Sequence, residues 1–410
     1  MKKYLLLSLL TCLLCLAAHA QDIITVSGKV VDSRNRAMSK VNVHAVGSPV
    51  ATVTNGDGEF VLKLPSDRSD SPIKFSYVGY VSVAVSVSEL EAKQGGAVIK
   101  LEQEELYIGA INVDLKNATS YIEEVLRLKY NNYPQDKNYQ TAFYREAIKK
   151  RQSFATLTEA VVEIEKSGIQ SISGDRAAIY KGRSFRDNRF TDTLFVKFQG
   201  GIVSALLLDV AQEDQIIFTD NPSKEYNFWF DQSTTIDGRK MRVVSFSPKG
   251  ASPNMMYYKG ALYVDSLTMA IARVEFSLDI KGYNDAASTL VKKKPTGTKV
   301  DMLEAKYTAE YRFLNDRWHF NYCSTELNFR CQFRRRLFRN NYTIVSEMVV
   351  TDHDSEPKKI PYSSSVRSGD FTYESAQSFY DENFWENYNI IEHEHSIDAD
   401  LRRFLRQLKE

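Results

Sequence analysis

The stretch 54-TNGDGEFVLKLP-65 sets the fold of the first part of this chain. From Asn55 to Glu59, three side-chain oxygens stand at alternate positions, as in a calcium-binding loop. Such a loop also needs Gly at its sixth position and Glu at its twelfth, which are Phe60 and Ser66 here. The Asn-Gly and Asp-Gly pairs are typical of tight turns, and the apolar alternation after them predicts a strand. The stretch therefore predicts a hairpin that acts as scaffold.

Further short segments rich in β-branched residues surround this turn between residues 22 and 105. Gly, Pro, Asn, Asp or Ser separate most of them, and no helical period occurs before Ser88. The seven segments are IITVSGKVVD, KVNVHAVG, VATVT, EFVLKLP, IKFSYVGY, VSVAVSV and AVIKLE. Strands of this length and spacing predict an antiparallel β-sandwich.

Four motifs in these segments resemble the carboxypeptidase-like regulatory domain, and they occur in the order SGKVVD (27–32), VNVHAVG (41–47), TNGDGEF (54–60) and IKFSYVGY (73–80). The resemblance covers nearly all of residues 26–103. It implies a transthyretin-like sandwich of a bacterial envelope protein, without peptidase residues. We expect Gly79, with Tyr77 and Tyr80, to shape a strand end, and an exposed aromatic contact for a partner stays open as the alternative.

The first twenty residues have the pattern of a signal peptide. Lys2 and Lys3 precede an apolar stretch, and Ala18-His19-Ala20 fits the cleavage site. Neither Cys12 nor Cys15 follows the small residue expected before a lipidated cysteine. No other run approaches the ~20 apolar residues of a membrane helix. We expect an exported protein, periplasmic or associated with the outer membrane, with no transmembrane segment in the mature chain.

Charge, length and cysteines limit the function further. Cleavage leaves 51 basic and 52 acidic residues among 390, so the overall charge gives no case for nucleic acid, and the length predicts two domains. Cys323 and Cys331 remain. On one strand they would lie roughly 26 Å apart, too far to bond, whereas a turn between them would permit a disulfide. We favour free thiols.

The remainder of the chain reads as a helix followed by strands. A Ser120-x-x-Glu123 capping box predicts a helix ending near Pro134. Alternation in 260-GALYVDSLTMAIARVEFSLD-279 and 307-YTAEYRF-313 predicts antiparallel hairpins of a wide, curved sheet. We predict these units: signal peptide 1–20, β-sandwich 21–105, connecting helix 106–132, curved antiparallel sheet 133–390 and C-terminal amphipathic helix 391–410. The last rests on the apolar spacing of Leu401, Phe404, Leu405 and Leu408.

Two further resemblances concern the second part. Residues 133–164 and 379–397 resemble an uncharacterised family of bacterial envelope proteins, in which this segment follows a carboxypeptidase-like regulatory domain. Many members continue into an outer-membrane barrel, which we do not expect in this chain. YKGALYVDSLTMAIARVEF (258–276) resembles the strand-turn-strand of periplasmic lipoprotein carriers, which hold acyl chains in an open half-barrel.

Catalytic and metal motifs are few. The sequence has no G-x-S-x-G, P-loop or dinucleotide fingerprint, and neither Cys323 nor Cys331, the two cysteines left after cleavage, lies in a C-x-x-C. His353 and Glu356 form an H-x-x-E, but the next histidines, His393 and His395, follow too closely for a zinc carboxypeptidase. For these two we favour a solvated loop over a metal site. We therefore expect a protein that is not an enzyme and has no catalytic residue, cofactor or metal.

Basic residues provide the one candidate contact. The run 330-RCQFRRRLFR-339 carries Arg330, Arg334, Arg335, Arg336 and Arg339, interleaved with aromatic and aliphatic residues. Arginine suits phosphate, so these five residues could contact an anionic envelope lipid. Protection of a sheet edge is the competing interpretation and the one we favour here. From Lys292-Lys293-Lys294 we expect only a mobile turn.

These observations predict a mainly β protein in which a transthyretin-like sandwich precedes a larger curved antiparallel sheet with a few helices. The function we expect is a non-catalytic binding or assembly module for an envelope lipid, a glycan or an outer-membrane protein. The alternatives are a metal-dependent envelope hydrolase, for which His353 is the candidate, and a purely structural linker whose sheet is filled by its own side chains.

Overall fold

The computed structural model of the chain describes residues 23–104, 117–151, 153–187, 197–198, 201–213, 217–218, 221–250, 256–280, 287, 290–294, 296–334, 339–354, 359–377, 388–397 and 402. The expected signal peptide lies outside these residues, as do Leu401, Phe404, Leu405 and Leu408 of the expected C-terminal helix. The unit boundaries given above stay predictions.

Residues 23–104 form the expected β-sandwich. Its elements are β1 (Ile23–Val31), β2 (Asn42–Ala45), β3 (Ala51–Val53), β4 (Glu59–Pro65), a 3₁₀ turn at Ser66–Arg68, β5 (Ile73–Ser76), β6 (Val83–Val85), helix α1 (Val87–Ala92) and β7 (Ala97–Lys100). One sheet has the order β4-β1-β7 and the other β3-β2-β5-β6. Between them lies one apolar core, in which the rings of Phe60 and Phe75 meet edge to face at 5.1 Å. The pairing of β1 with β7 is parallel, unlike the expected antiparallel pattern.

The turn at residues 54–58 is not a hairpin, which corrects the sequence prediction. Strand β3 before it pairs with β2, and β4 after it pairs with β1, so the turn crosses from one sheet to the other. Asn55, buried, holds it: its Oδ1 accepts the N–H groups of Asp57 (3.0 Å) and Glu59 (2.8 Å). Gly58 has φ +78°, and a Cβ there would lie 2.6 Å from the Val30 carbonyl oxygen. The sequence predicted the turn itself correctly, because its dipeptides act locally. It did not predict the strand pairing, because that depends on partners distant in sequence.

Helix α2 (Ala118–Asn132) begins earlier than the capping box indicated. Asn117 is the N-cap, and its Oδ1 accepts the N–H of Ser120 at 2.7 Å. Ser120 therefore lies inside the first turn. Tyr121, Ile122 and Val125 are buried, so this face packs on the large sheet.

The large sheet contains eleven strands. They are β8 (Asn138–Lys150), β9 (Ser153–Lys166), β10 (Arg176–Arg186), β12 (Tyr226–Phe230), β13 (Thr234–Ile236), β14 (Arg239–Pro248), β15 (Tyr258–Asp265), β16 (Ile271–Leu278), β18 (Lys299–Leu314), β19 (Arg317–Gln332) and β20 (Asn340–Asp354). Their order is β10-β9-β8-β20-β19-β18-β16-β15-β14-β12, and β13 also pairs with β14. The short strands β11 (Lys197–Phe198) and β17 (Val291–Lys293) pair with each other. Short helices are α3 (Ile202–Leu206), α4 (Pro222–Glu225) and α5 (Thr372–Gln377).

The hairpins expected from alternation are present. Strands β15 and β16 pair across the DSLT turn, and β18 pairs with β19 along almost their whole length. The turn of the second hairpin uses Asn315 and Asp316, both at positive φ. Cys323 and Cys331 lie on the same strand, β19, and are not bonded to each other.

Both faces of the sheet are covered in the described part of the chain. On the helix face, α2 and the described residues of the 201–218 segment (201–213 and 217–218) pack against side chains such as Tyr144 and Val162. On the sandwich face, Val53 of the sandwich packs against Phe143, Tyr322 and Val349. The middle of the sheet is thus not an open groove, unlike the half-barrel that the carrier resemblance implied.

No helix among the described residues is both long and apolar enough to cross a membrane.

Candidate functional site: the basic end of the sheet

Three basic segments, distant in sequence, meet at one end of the large sheet. They are the β8–β9 turn (149–151), the approach to β18 (294–299) and the β19–β20 connection with its flanks (330–334 and 339–341). Antiparallel pairing brings them together, because Lys150 lies opposite Tyr342, and Lys299 lies opposite Gln332. We call this surface the basic end. It contains Lys149, Lys150, Arg151, Lys294, Lys299, Arg330, Arg334 and Arg339, and these segments contain no acidic residue.

Direct contacts connect the three segments. The N–H of Arg151 donates to the carbonyl oxygen of Asn341 at 3.0 Å, which fixes the first turn to the start of β20. The side chain of Arg334 lies over Gly297, where a Cβ would be only 2.8 Å from its Cδ. Gly297 has φ +78°, so a residue with a side chain would be strained there as well. The basic end is therefore one continuous surface.

The five predicted arginines fall into three groups. Arg330 lies on β19, half-buried, opposite Asp301 on one neighbouring strand and Asn341 on the other. Arg334 and Arg339 are exposed on the β19–β20 connection. Arg335 and Arg336 lie outside the described residues. Since β19 is paired on both sides, Arg330 does not protect a sheet edge, and the interpretation favoured from the sequence is wrong for it.

Aromatic rings support the cations at this end. Lys149 Nζ lies 4.4 Å from the centroid of the Phe154 ring, and Lys150 Nζ lies 5.8 Å from that of Tyr342. Such contacts orient the ammonium groups without neutralising them. Lys299 is 3.4 Å from Asp301, a largely exposed pair that contributes little to stability. The surface keeps a net positive charge.

Sequence reasoning missed the contributions of 149-KKR-151 and Lys299, and it assigned no function to 292–294. The charge runs themselves were visible in the sequence. Their convergence depends on strand pairings between residues that are up to about two hundred positions apart.

A polar seam lies between the sandwich and the sheet. Asn42 Nδ2 donates to Glu310 Oε2 (2.8 Å), and Arg312 donates to the Pro49 carbonyl oxygen (2.6 Å). The Gly79 N–H donates to the Thr235 carbonyl oxygen at 2.9 Å. The SYVGY motif thus shapes a strand end and also contacts the second unit.

Residues 388–397, which we call the strap, lie in this seam. The Asn389 side chain bonds to both the N–H (2.7 Å) and the carbonyl oxygen (2.8 Å) of Lys63. Thr52 Oγ1 donates to the Ile390 carbonyl oxygen at 2.7 Å, and Asn55 Nδ2 donates to that of His393 at 2.9 Å. The turn at 54–58 therefore receives a segment that lies 338 residues later in the chain.

His393 is largely enclosed, with 12% of its side chain exposed, which corrects the expected solvated loop for this residue, whereas His395 is exposed. Its Nε2 lies 2.8 Å from Glu159 Oε1, and Arg183 Nε donates to the other oxygen at 2.8 Å. Although burial acts to raise it, the pKa of Glu159 is lowered to about 2 by His393 and Arg183. Burial acts to lower the pKa of His393, but the Glu159 carboxylate outweighs it and the pKa is raised. This ion pair anchors the strap to the sheet.

Three other histidines lie around the buried Arg312. His319 is its cross-strand partner, and the rings of His319 and His353 are 5.1 Å apart. Asn42 bonds to Glu310, and His44 and Arg312 each lie two residues further along the same two strands. Burial, together with Arg312, lowers the pKa of His44 to about 3 and that of His319 to about 4. Burial, then His319 and Arg312, lowers that of His353 to about 3.

His353 was the candidate for a metal-dependent hydrolase. Its expected partner Glu356 lies outside the described residues, and the ring packs on His319. Nothing in its described surroundings favours a zinc ligand.

A cavity of about 160 Å³ opens in the seam. It is lined by Lys40, Asn55, Arg145, Lys149 and Glu347, among others. Arg145 and Glu347, which lie opposite each other on neighbouring strands, pair at 3.0 Å in its lining. Phe154, Val345 and Ile397 also contribute, so the lining is mixed polar and apolar.

A buried lysine on the helix face was also missed. Lys166 Nζ contacts Asp175 Oδ2 (2.5 Å) and Asp209 Oδ2 (2.7 Å), and Tyr311 donates to Asp209 Oδ1 (2.8 Å). Because every charge has a partner, this network holds residues 201–218 on the sheet and needs no ligand.

Comparison with known proteins supports the sandwich assignment. Residues 26–113 match the model of the CarboxypepD_reg-like domain family, which confirms the resemblance found in residues 26–103. No curated protein is significantly similar to the chain.

Several solved structures share features with the chain at low similarity. An outer membrane lipoprotein-sorting protein domain from Vibrio parahaemolyticus has 12% identity and a TM-score of 0.25, covering 58% of this chain and 91% of that one. A LolA superfamily protein from Nitrosomonas europaea has 13% identity and a TM-score of 0.22, covering 60% and 95%. A DUF1329 family protein from Desulfovibrio piger has 11% identity and a TM-score of 0.26, covering 59% and 95%. The carrier resemblance recurs among them, but similarities this low carry no argument about fold or function.

Proposed function

We propose that this protein is a non-catalytic module of the cell envelope that binds an anionic lipid surface through the basic end of its sheet. The observation that carries the proposal is the convergence of three basic segments, none of which contains an acidic residue, into one surface. The sequence expectation of export supports an envelope setting.

The charge of the basic end matches the chemistry of phosphorylated headgroups. Arg334 and Arg339 are exposed, and guanidinium groups form paired hydrogen bonds with phosphate oxygens. A lysine or arginine near an anionic membrane contributes roughly 1 kcal/mol. Several such residues on one surface therefore give useful affinity without an inserted helix.

Both faces of the sheet are occupied, by the sandwich and by residues 201–218. We therefore place the binding surface at the end of the strands and not across the sheet, where a carrier would hold its cargo. The metal-dependent hydrolase has no supporting observation at His353.

The test uses the mature protein and co-sedimentation with phosphatidylcholine vesicles that contain or lack phosphatidylglycerol. We expect binding only to the anionic vesicles, and a loss of binding as salt is added, because the contacts are exposed. In the variant Arg151→Gln/Arg334→Gln/Arg339→Gln, three exposed cations are removed. At roughly 1 kcal/mol each, affinity should fall by about a hundredfold.

A matched control removes three exposed cations elsewhere, in the variant Arg68→Gln/Lys100→Gln/Lys224→Gln. Its net charge equals that of the first variant, and we expect it to bind as the parent protein does. Equal losses in the two variants would mean that overall charge drives binding. Absence of binding to both vesicle types would reject the proposal.

A further inference from the structure

The turn at 54–58 and the strap bring three metal-ligating side chains together. Asp57 lies in the turn, Glu59 begins β4, and His395 comes from the strap. One ligand atom from each lies within 4.8 Å of the other two. Among the residues that the structure describes, no other three histidine, cysteine or acidic side chains bring their ligand atoms this close together.

The supports of these ligands are rigid although the ligands themselves reach solvent. Asn55, 1% exposed, fixes Asp57 and Glu59 through its Oδ1 and holds the strap through its Nδ2. The His393–Glu159 ion pair anchors the strap two residues before His395. Two segments far apart in sequence are thus held in register by buried contacts, as a preorganised site requires.

The ligand types select the metal. His395 Nδ1 and the two carboxylates offer one nitrogen and two oxygens, which suits zinc, whereas calcium and magnesium prefer oxygen alone. Three protein ligands leave the fourth tetrahedral position for water. The calcium-loop spacing, absent from 54–65, is not needed for such a site.

The metal-free geometry is compatible with closure around an ion. His395 Nδ1 lies 2.8 Å from Asp57 Oδ2, and the His395 N–H donates to the same oxygen at 2.8 Å. Zinc at 2.0–2.2 Å from each ligand atom would take the place of the proton that Nδ1 shares with Asp57. That proton leaves to solvent.

We propose that Asp57, Glu59 and His395 form a zinc site that fastens the strap to the sandwich. It does not depend on the lipid-binding function. Asp57 and His395 lie 338 positions apart in the sequence. Zinc would therefore add a cross-link between the sandwich and the strap that lies in the seam.

The test is calorimetric titration of the tag-free mature protein with zinc chloride, and separately with calcium chloride. We expect one zinc per chain, a melting temperature raised by zinc, and no comparable effect of calcium. Asp57→Asn and His395→Ala should each weaken zinc binding at least about tenfold. Asp67→Asn, which changes another exposed acid of the sandwich, is the matched control and should bind zinc as the parent does.

Three outcomes would overturn the proposal. The first is the absence of zinc binding by the folded protein. The second is zinc binding that survives both Asp57→Asn and His395→Ala, since the ion would then lie elsewhere. The third is a preference for calcium, which would contradict the nitrogen ligand. Circular dichroism of each variant shows that it is folded, so a loss of binding reports on the site.

Discussion

At the scale of single residues, Asn55 explains why a plain turn matters to the whole molecule. The sequence predicts the turn because Asn-Gly and Asp-Gly tolerate its geometry. It does not predict that the asparagine is buried, or that its amide donates to His393. That contact joins positions 338 residues apart, and nothing local in either segment encodes it.

Glu159 should be one of the most sensitive single residues for stability. Its side chain is fully buried between Arg183 and His393, so Glu159→Gln removes the buried anion that pairs with two largely enclosed cations. Removing one partner of a buried pair costs about 3–5 kcal/mol, and we expect a loss of this size in denaturant unfolding. Glu124→Gln, which breaks an exposed helical pair, is the control and should not shift the midpoint. Equal midpoints for the two variants would contradict the anchoring role of His393.

Stability should decrease in acid because of the three histidines around Arg312. Their pKa values are lowered in the folded state, to about 3 for His44, about 4 for His319 and about 3 for His353. Between pH 6.5 and about 4 the unfolded chain therefore binds protons that the folded chain does not. The contribution of these three histidines to the free energy of unfolding is full above pH 6.5. It is lost as pH falls through this window, by at most about 1.4 kcal/mol per pH unit for each histidine.

The variant His353→Phe tests whether these histidines cause the loss of stability in acid. It keeps a ring against His319 and removes one titrating group. We expect a melting temperature close to that of the parent at pH 7.5 and a smaller decrease at pH 5. An unchanged pH dependence would show that His353 is not neutral in the folded protein.

At the scale of elements, the strap is held much as a strand would be. The Asn389 amide bonds to both backbone groups of Lys63, which imitates the pairing of an added strand. Asn389→Ala removes both bonds, and we expect a loss of about 1–3 kcal/mol with faster amide exchange at Lys63. Hydrogen exchange by mass spectrometry measures the second effect. Unchanged protection at Lys63 would mean that the strap does not close this edge.

Alternation was a reliable guide wherever neighbouring strands are also neighbours in sequence. Strands β18 and β19 form the expected hairpin because their apolar residues have a period of two and a short turn joins them. The start of α2 was misplaced, since Asn117 caps the helix ahead of the capping box. The strap has neither a hydrophobic period nor a helix cap, so its position follows only from its tertiary contacts.

At the scale of the whole molecule, the near balance of total charge conceals a local excess. The full sequence has 53 basic and 52 acidic residues, yet eight cations gather at one end of the sheet. Of the five predicted arginines, Arg330, Arg334 and Arg339 belong to this surface, and the other two lie outside the described residues. The rest required the order β8-β20-β19-β18, which a single sequence does not determine.

The measurement that tests the lipid-binding account most directly is hydrogen exchange of the mature protein with and without phosphatidylglycerol vesicles. The account predicts slower exchange at residues 149–151, 294–299, 330–334 and 339–341 on the vesicles, and no change at residues 389–393 of the strap. Protection of the sandwich or the strap, with these three segments unaffected, would contradict it and place the contact with the membrane elsewhere.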